Sequence, residues 1–285
     1  MAPQPPNYGD VQYWDKKYLD NQNVFDWLIS PDSFDHEISR AIQQCQNTSP
    51  RLLHIGSGTS SLSFSLLKHV NNASQICNVD YSLTAIEWGK SKDKELGDLE
   101  NKGGMGWVQA SLLHLPDVMA IGKVASFDLI VDKSTADSIS CADDVILTDS
   151  FPFIASLCEA KLSGVEGIDR TGPYPCSIHP LQVLSVYLAL LAAPGAVWLA
   201  VSYKASRFDF LDNGFGDDYE DETRCLPHPG HFWTIEKTTI FEADEERQGS
   251  GKSHSVHRPK TMYHLFQLKR TSAKFTRRSP FAAFG

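Results

Sequence analysis

The chain has 285 residues, a formal net charge of −9 and 41% hydrophobic residues, enough for one elaborated domain with a substantial core. The acidic excess argues against general affinity for nucleic-acid phosphates, and no apolar stretch is long enough to cross a bilayer. Six scattered cysteines (Cys45, Cys77, Cys141, Cys158, Cys176, Cys225) form no CxxC pair or zinc spacing, so they read as free thiols and, with no basic-then-apolar leader at the N-terminus, predict a cytoplasmic protein without a metal site.

In chain order, residues 1–10 are proline-rich and polar and read as a flexible tail. Val11 to Leu19 has the pattern of a short amphipathic helix carrying Tyr13, Trp14 and Tyr18, and Phe34 to Gln44 reads as a second. Strands are predicted at 51–55, 75–80, 105–110, 126–132 and 196–203, most of them separated by helices, including one from about Ser60 to Val70. Such alternation calls for a parallel sheet with helices on both faces. Phe232 to Phe241 and Thr261 to Lys269 are strand-like without a helix between them, so an antiparallel pair at one edge is expected. The domain is placed at 11–270, with insertions at about 141–180, 205–230 and 242–260 and a basic tail at 271–285. The first insertion contains a helix-like stretch, Ser150 to Lys161, and the second is rich in acids between Asp209 and Glu222.

The chemical signal lies in Leu52-Leu53-His54-Ile55-Gly56-Ser57-Gly58-Thr59-Ser60-Ser61, followed by Val79-Asp80-Tyr81. An apolar run entering a Gly-x-Gly turn, a helix, and a second run ending in an acid are how α/β domains hold an adenosine-containing cofactor. Gly56 and Gly58 permit a sharp turn and close ligand approach, and Asp80 at a strand end is placed to accept hydrogen bonds from ribose hydroxyls. Ser61 replaces the third glycine of the dinucleotide fingerprint, which weakens a dinucleotide reading and suits S-adenosylmethionine, a ligand with no pyrophosphate to cradle.

Five separated segments extend this: Tyr13-Trp14-Asp15-Lys16-Lys17-Tyr18, Phe25-Asp26-Trp27, the glycine loop, Asn78-Val79-Asp80-Tyr81-Ser82, and Phe127 to Asp137. In this order they resemble the methyltransferase-like family that includes the translation elongation factor 1-alpha lysine methyltransferases. The resemblance implies a class I methyltransferase fold: a seven-stranded, mostly parallel Rossmann-like sheet with an antiparallel edge hairpin. It also implies S-adenosylmethionine contacts at Trp14, Tyr18, Trp27, Gly56, Asp80, Tyr81, Ser111, Leu112 and Lys133, to which the turn itself adds Gly58. Two positions depart from the family pattern. Ser111 stands where an aspartate usually recognises the adenine amino group, and Ser134 replaces the glycine of a Lys-Gly-Thr-Leu-Asp segment.

For catalysis, Asp132 and Asp137 are the carboxylates expected nearest the acceptor, with Thr135 as a hydrogen-bonding neighbour; the alternative for the two acids is helix capping and turn fixing. The acceptor stays open at this point between a protein lysine, with the acidic segment from Asp209 to Glu222 docking a basic surface, and a small molecule. In the second case Phe151, Phe153 and Tyr174 enclose an apolar metabolite for N-, O- or S-methylation. A catalytically silent partner protein of the same fold is the third possibility.

Overall fold

The computed structural model describes residues 6–20, 23–100, 103–123, 126–148, 151–156, 175–212, 225–242 and 261–277. Its elements are α1 (Val11–Asp20), α2 (Pro31–Gln44), β1 (Leu52–Ile55), α3 (Leu62–Ser65), β2 (Ile76–Asp80), α4 (Leu83–Glu100), β3 (Gly106–Gln109) and α5 (Leu115–Gly122). Next come β4 (Phe127–Lys133), α6 (Thr135–Ile139), β5 (Val145–Leu147), β6 (Phe153–Ser156), β7 (Cys176–Ile178) and α7 (Pro180–Leu191). The chain closes with β8 (Ala192–Ser202), β9 (Trp233–Glu242), β10 (Met262–Arg270) and β11 (Lys274–Arg277).

Seven strands form one sheet in the order β3-β2-β1-β4-β8-β10-β9. β1 pairs in parallel with β2 and β4, β2 with β3, and β4 with β8. β10 runs antiparallel to both β8 and β9. All seven strands read from the sequence are present, and the antiparallel pair lies at one edge as expected.

Adjacent strand residues point to opposite faces, so the continuous apolar runs feed two cores. Leu53, Ile55, Ile130 and Trp198 join α7 and α5 on one face. Leu52, Leu129, Val131 and Leu199 join Phe34 and Ile38 of α2 on the other. α7 is apolar nearly all round because it is buried nearly all round. α2 starts where Ser30 Oγ accepts the Ser33 amide and Pro31 supplies a first-turn residue with no N–H to satisfy.

Several expectations are corrected. The Ser60–Val70 helix is short: α3 gives way to a 3-10 turn over Leu66–His69. Within the helix-like 150–161 stretch, Phe153–Ser156 is a strand, β6, paired antiparallel with β11. That pairing also makes residues 274–277 part of the fold and not of a tail. Arg270, the last residue of the expected domain, is 4% exposed and donates to the carbonyls of Ala189, Thr271 and Ala273. Cys176 and Cys225, read as free thiols, are joined as a disulfide that ties β7 to the segment before the 3-10 turn Pro229–His231. Phe151 and Phe153, expected around a metabolite, pack with Tyr187 and Phe275. Tyr174 and most of the acidic stretch, residues 213–222, lie outside the described residues. Among those described, no helix is long and apolar enough to cross a membrane and no group of side chains could hold a metal ion.

Candidate active site

A cavity of about 380 Å³ opens over the carboxyl ends of β3, β2, β1 and β4, where ligands bind in sheets of this topology. Trp14, Tyr18, Trp27, Gly56, Gly58, Asp80, Tyr81, Ser111, Leu112 and Lys133, the ten residues expected around a cofactor, all line it.

The glycine loop is held open from behind. Gly56 and Gly58 have φ of +56° and +50°, the left-handed region where a side chain is costly. A Cβ on Gly56 would clash with Thr135 Oγ1, and one on Gly58 would meet the Tyr18 hydroxyl at 2.6 Å. Thr135 is locked there by a 2.9 Å hydrogen bond from its hydroxyl to the Ile55 carbonyl. Thr135 lines the cavity, and its evident work is to brace the turn after β1.

Asp80 sits at the end of β2 with Oδ2 accepting the Gly58 amide at 2.8 Å and Oδ1 accepting the Ser82 amide at 2.9 Å. Each oxygen keeps a second lone pair for a ligand. Burial pushes its carboxyl up to about 6, against the pull of those amides.

The N-terminal aromatic residues form the roof. Trp14 stacks on Tyr18 with centroids 5.8 Å apart, and Trp14 and Trp27 meet edge-on at 5.6 Å. The Lys17 ammonium stands 3.7 Å from the Phe25 centroid and 4.8 Å from that of Trp27, pinning α1 to the segment before α2. Asp15 accepts a hydrogen bond from the Ser82 hydroxyl and anchors the same helix beside Asp80. Residues 8–10, read as tail, belong to this roof: Tyr8, Gly9 and Asp10 line the cavity and the Tyr8 carbonyl accepts from Trp14 Nε1 at 2.8 Å. A proline-rich start hid them, although the aromatic Tyr8 was a signal.

Lys133 lines the cavity while its ammonium turns to Asp26 Oδ1, 2.5 Å away. Asp26 also accepts from the hydroxyls of Ser60 and Ser61. Burial opposes its charge, but Lys133 and these hydrogen bonds outweigh burial and hold its carboxyl below the ordinary value. Asp26 was named only as part of the Phe25-Asp26-Trp27 segment, with no role of its own.

Neither Asp132 nor Asp137 is among the residues that line the cavity. Asp132 is fully buried and caps α6 by accepting the amides of Thr135 and Ala136. Burial, then the neighbouring Asp137, pushes its carboxyl up to about 7. Asp137 is bound to Arg207 at 2.7 Å, to the Ser202 hydroxyl and to the Tyr203 amide. His54, also passed over, lines the cavity with Nδ1 within 2.9 Å of Ser63 Oγ, and burial pushes its imidazole down to about 4, so it is neutral. His179 accepts the Leu181 amide at the start of α7.

Two hydroxyls in the cavity wall, Ser57 Oγ and Ser134 Oγ, are buried and have no hydrogen-bond partner among the described residues. A buried, unpaired hydroxyl costs stability unless a ligand or water satisfies it. With a strand-end carboxylate, a side-chain-free turn and an aromatic roof, these groups fit S-adenosylmethionine.

The sheet order and the cavity over its carboxyl edge are those of the class I methyltransferase fold. The chain is 29% identical over 209 residues to methyltransferase srdJ of Neurospora crassa, covering 73% of this chain and 72% of that protein. It is 32% identical over 143 residues to the human mitochondrial citrate synthase-lysine N-methyltransferase, covering 45% of this chain and 56% of that protein. Among solved structures it superposes on an S-adenosylmethionine-dependent methyltransferase from Anabaena variabilis with a TM-score of 0.53 at 10% identity, over 95% of this chain and 97% of the other. That likeness speaks for the fold alone. No protein-family model matches the chain.

Proposed function

We propose that the protein transfers the methyl group of S-adenosylmethionine to a nitrogen, oxygen or sulfur atom of a small, largely apolar molecule. The observation that carries this reading is the commitment of the carboxylates at the β4 end. A lysine acceptor, with a free pKa of about 10.4, needs a carboxylate to receive its ammonium and let the proton leave. Asp26 is engaged by Lys133, Ser60 and Ser61, Asp132 by backbone amides and Asp137 by Arg207 and Ser202. Asp10 accepts the Gln12 amide at the start of α1. Of the described lining residues, Tyr8, Val11, Leu113, Ile139 and Ala142 are aromatic or apolar, with Asp10 and Ser138 the polar residues beside them in sequence.

In this reading Asp80 binds the ribose hydroxyls and Tyr81 packs on the adenine. Ser111 accepts from the adenine amino group, and Trp14, Tyr18 and Trp27 exclude water from the reacting end. Bound in this way, the cofactor supplies a methyl group on a cationic sulfur whose departure needs no protonation. Catalysis is therefore mainly positioning, which is worth about 7–11 kcal/mol for well-oriented reactants. Gly56, Gly58 and Thr135 supply the rigid floor for it.

A protein lysine acceptor is the second reading, favoured by the similarity to the citrate synthase-lysine methyltransferase. Incubation with methyl-labelled S-adenosylmethionine and, in parallel, a protein extract and a small-molecule extract separates the two. Label in small molecules is expected; label confined to protein would reverse the ranking.

A further inference from the structure

On α6 and the turn after it, Thr135, Ser138, Ile139 and Ala142 all line the cavity. Their spacing gives the reason. Helix positions i, i+3 and i+4 share one face, and beyond α6 the amides of Cys141 and Ala142 carry the coil on by donating to the carbonyls of Ser138 and Ile139. The row begins at the glycine loop, where Thr135 braces Gly56. It ends at the N-terminal roof, where Gly9 lies so close to the Ala142 backbone that a Cβ would clash. Ser138 stands one turn, about 4.5 Å, beyond Thr135 along the helix. None of the ten residues expected around the cofactor lies on α6.

Within this row Ser138 has the uncommitted polar group. Serine hydroxyls in helices and at their ends often turn back to a carbonyl three or four residues earlier. Those of Ser140 and Ser185 do so, to Asp137 and Leu181. The Ser138 hydroxyl makes no hydrogen bond among the described residues. The residue is half-buried and its oxygen, unlike those of Ser57 and Ser134, is not sealed off. The Thr135 hydroxyl is taken by the Ile55 carbonyl. Asp10 carries its charge near Tyr81, whose phenol is pushed up by burial, Asp80 and Asp10. A neutral hydroxyl, able both to donate and to accept, is thus set beside Ile139 on the wall that runs from the glycine floor to the roof.

We propose that the Ser138 hydroxyl makes the hydrogen bond that orients the methyl acceptor, an uncharged and mainly apolar molecule with an oxygen or nitrogen close to the atom methylated. A charged acceptor finds no counter-ion on this row, and an acceptor without a polar atom would leave the hydroxyl unused. The assignment rests on the small-molecule reading above.

The test measures label transfer from methyl-labelled S-adenosylmethionine over a dilution series of the small-molecule extract, with wild type and Ser138→Ala. Calorimetric titration of S-adenosylhomocysteine into both proteins runs beside it. Alanine suits a helix at least as well as serine, so the variant is expected to fold. It is expected to need about 3–10-fold more extract for half-maximal labelling, the loss of one hydrogen bond, with S-adenosylhomocysteine affinity changed less than about twofold. An unchanged half-maximal point, or a parallel loss of S-adenosylhomocysteine affinity, would overturn the proposal. A wild type that binds S-adenosylhomocysteine but labels nothing in the extract would instead remove the small-molecule reading, and this assignment with it.

Discussion

Lys133 and Asp26 form a buried ion pair, Nζ to Oδ1 2.5 Å, joining the end of β4 to the segment that leads from α1 to α2. It fixes the roof of the cavity to its floor across 107 residues of sequence. Removing one partner strands the other as a buried charge, so Asp26→Ala is expected to cost about 3–5 kcal/mol in denaturant unfolding. Because the folded-state Asp26 carboxyl is held below its ordinary value, its contribution is complete above the unfolded pKa and fades as pH falls through the folded one. A loss below about 1 kcal/mol would show that the pair is dispensable.

The two glycines of the loop are not equivalent. Alanine at Gly56 meets a threonine fixed by its hydrogen bond to the Ile55 carbonyl, whereas alanine at Gly58 meets only the tip of Tyr18. Both pay roughly 1–2 kcal/mol for the left-handed backbone, and Gly56→Ala adds overpacking of roughly 1–3 kcal/mol. Gly56→Ala should therefore melt clearly lower than Gly58→Ala; equal melting temperatures would refute the bracing role of Thr135.

Asp132 gives a pH signature of opposite sign to Asp26. Its folded pKa, about 7, lies above the unfolded value, so the folded state holds an extra proton between about pH 4 and 7 and loses stability as pH rises through that window. Asn keeps an oxygen for the Thr135 amide without the charge. The stability of Asp132→Asn relative to wild type should accordingly improve from pH 5 to pH 8, measured by urea unfolding. A difference that does not vary with pH would place the titration elsewhere.

The Cys176–Cys225 disulfide closes a 49-residue separation. Loops of this size are stabilised by roughly 3–4.7 kcal/mol when cross-linked, so dithiothreitol should lower the melting temperature of the wild type and leave Cys176→Ser unaffected. An identical shift in both would trace the effect to something other than this bond.

The sheet and the cofactor end were legible because both are written locally. Each strand is a short apolar run, and Gly56, Asp80, Ser111 and Lys133 sit at or just beyond strand ends that such runs mark. What depends on distant partners was not legible. The ties of Asp137 to Ser202 and Arg207 could not be read because both partners are at least 65 residues away in sequence. β6 looked helical because its pairing partner, β11, lies near the other end of the chain. Tyr8 to Asp10 were read as tail because the contacts that seat them, such as the packing of Gly9 on Ala142, join segments more than a hundred residues apart.

The cavity lined by Asp80 and Lys133 is the proposed cofactor site. Isothermal titration of S-adenosylhomocysteine into wild type and Asp80→Ala at pH 7.5 tests this most directly. Saturable one-to-one binding is expected, weakened by about 1.5–3 kcal/mol, or roughly 10–150-fold, in the variant, because Asp80 is expected to supply charge-assisted hydrogen bonds to the ribose. Binding of equal strength in both proteins, or none in the wild type, would contradict it.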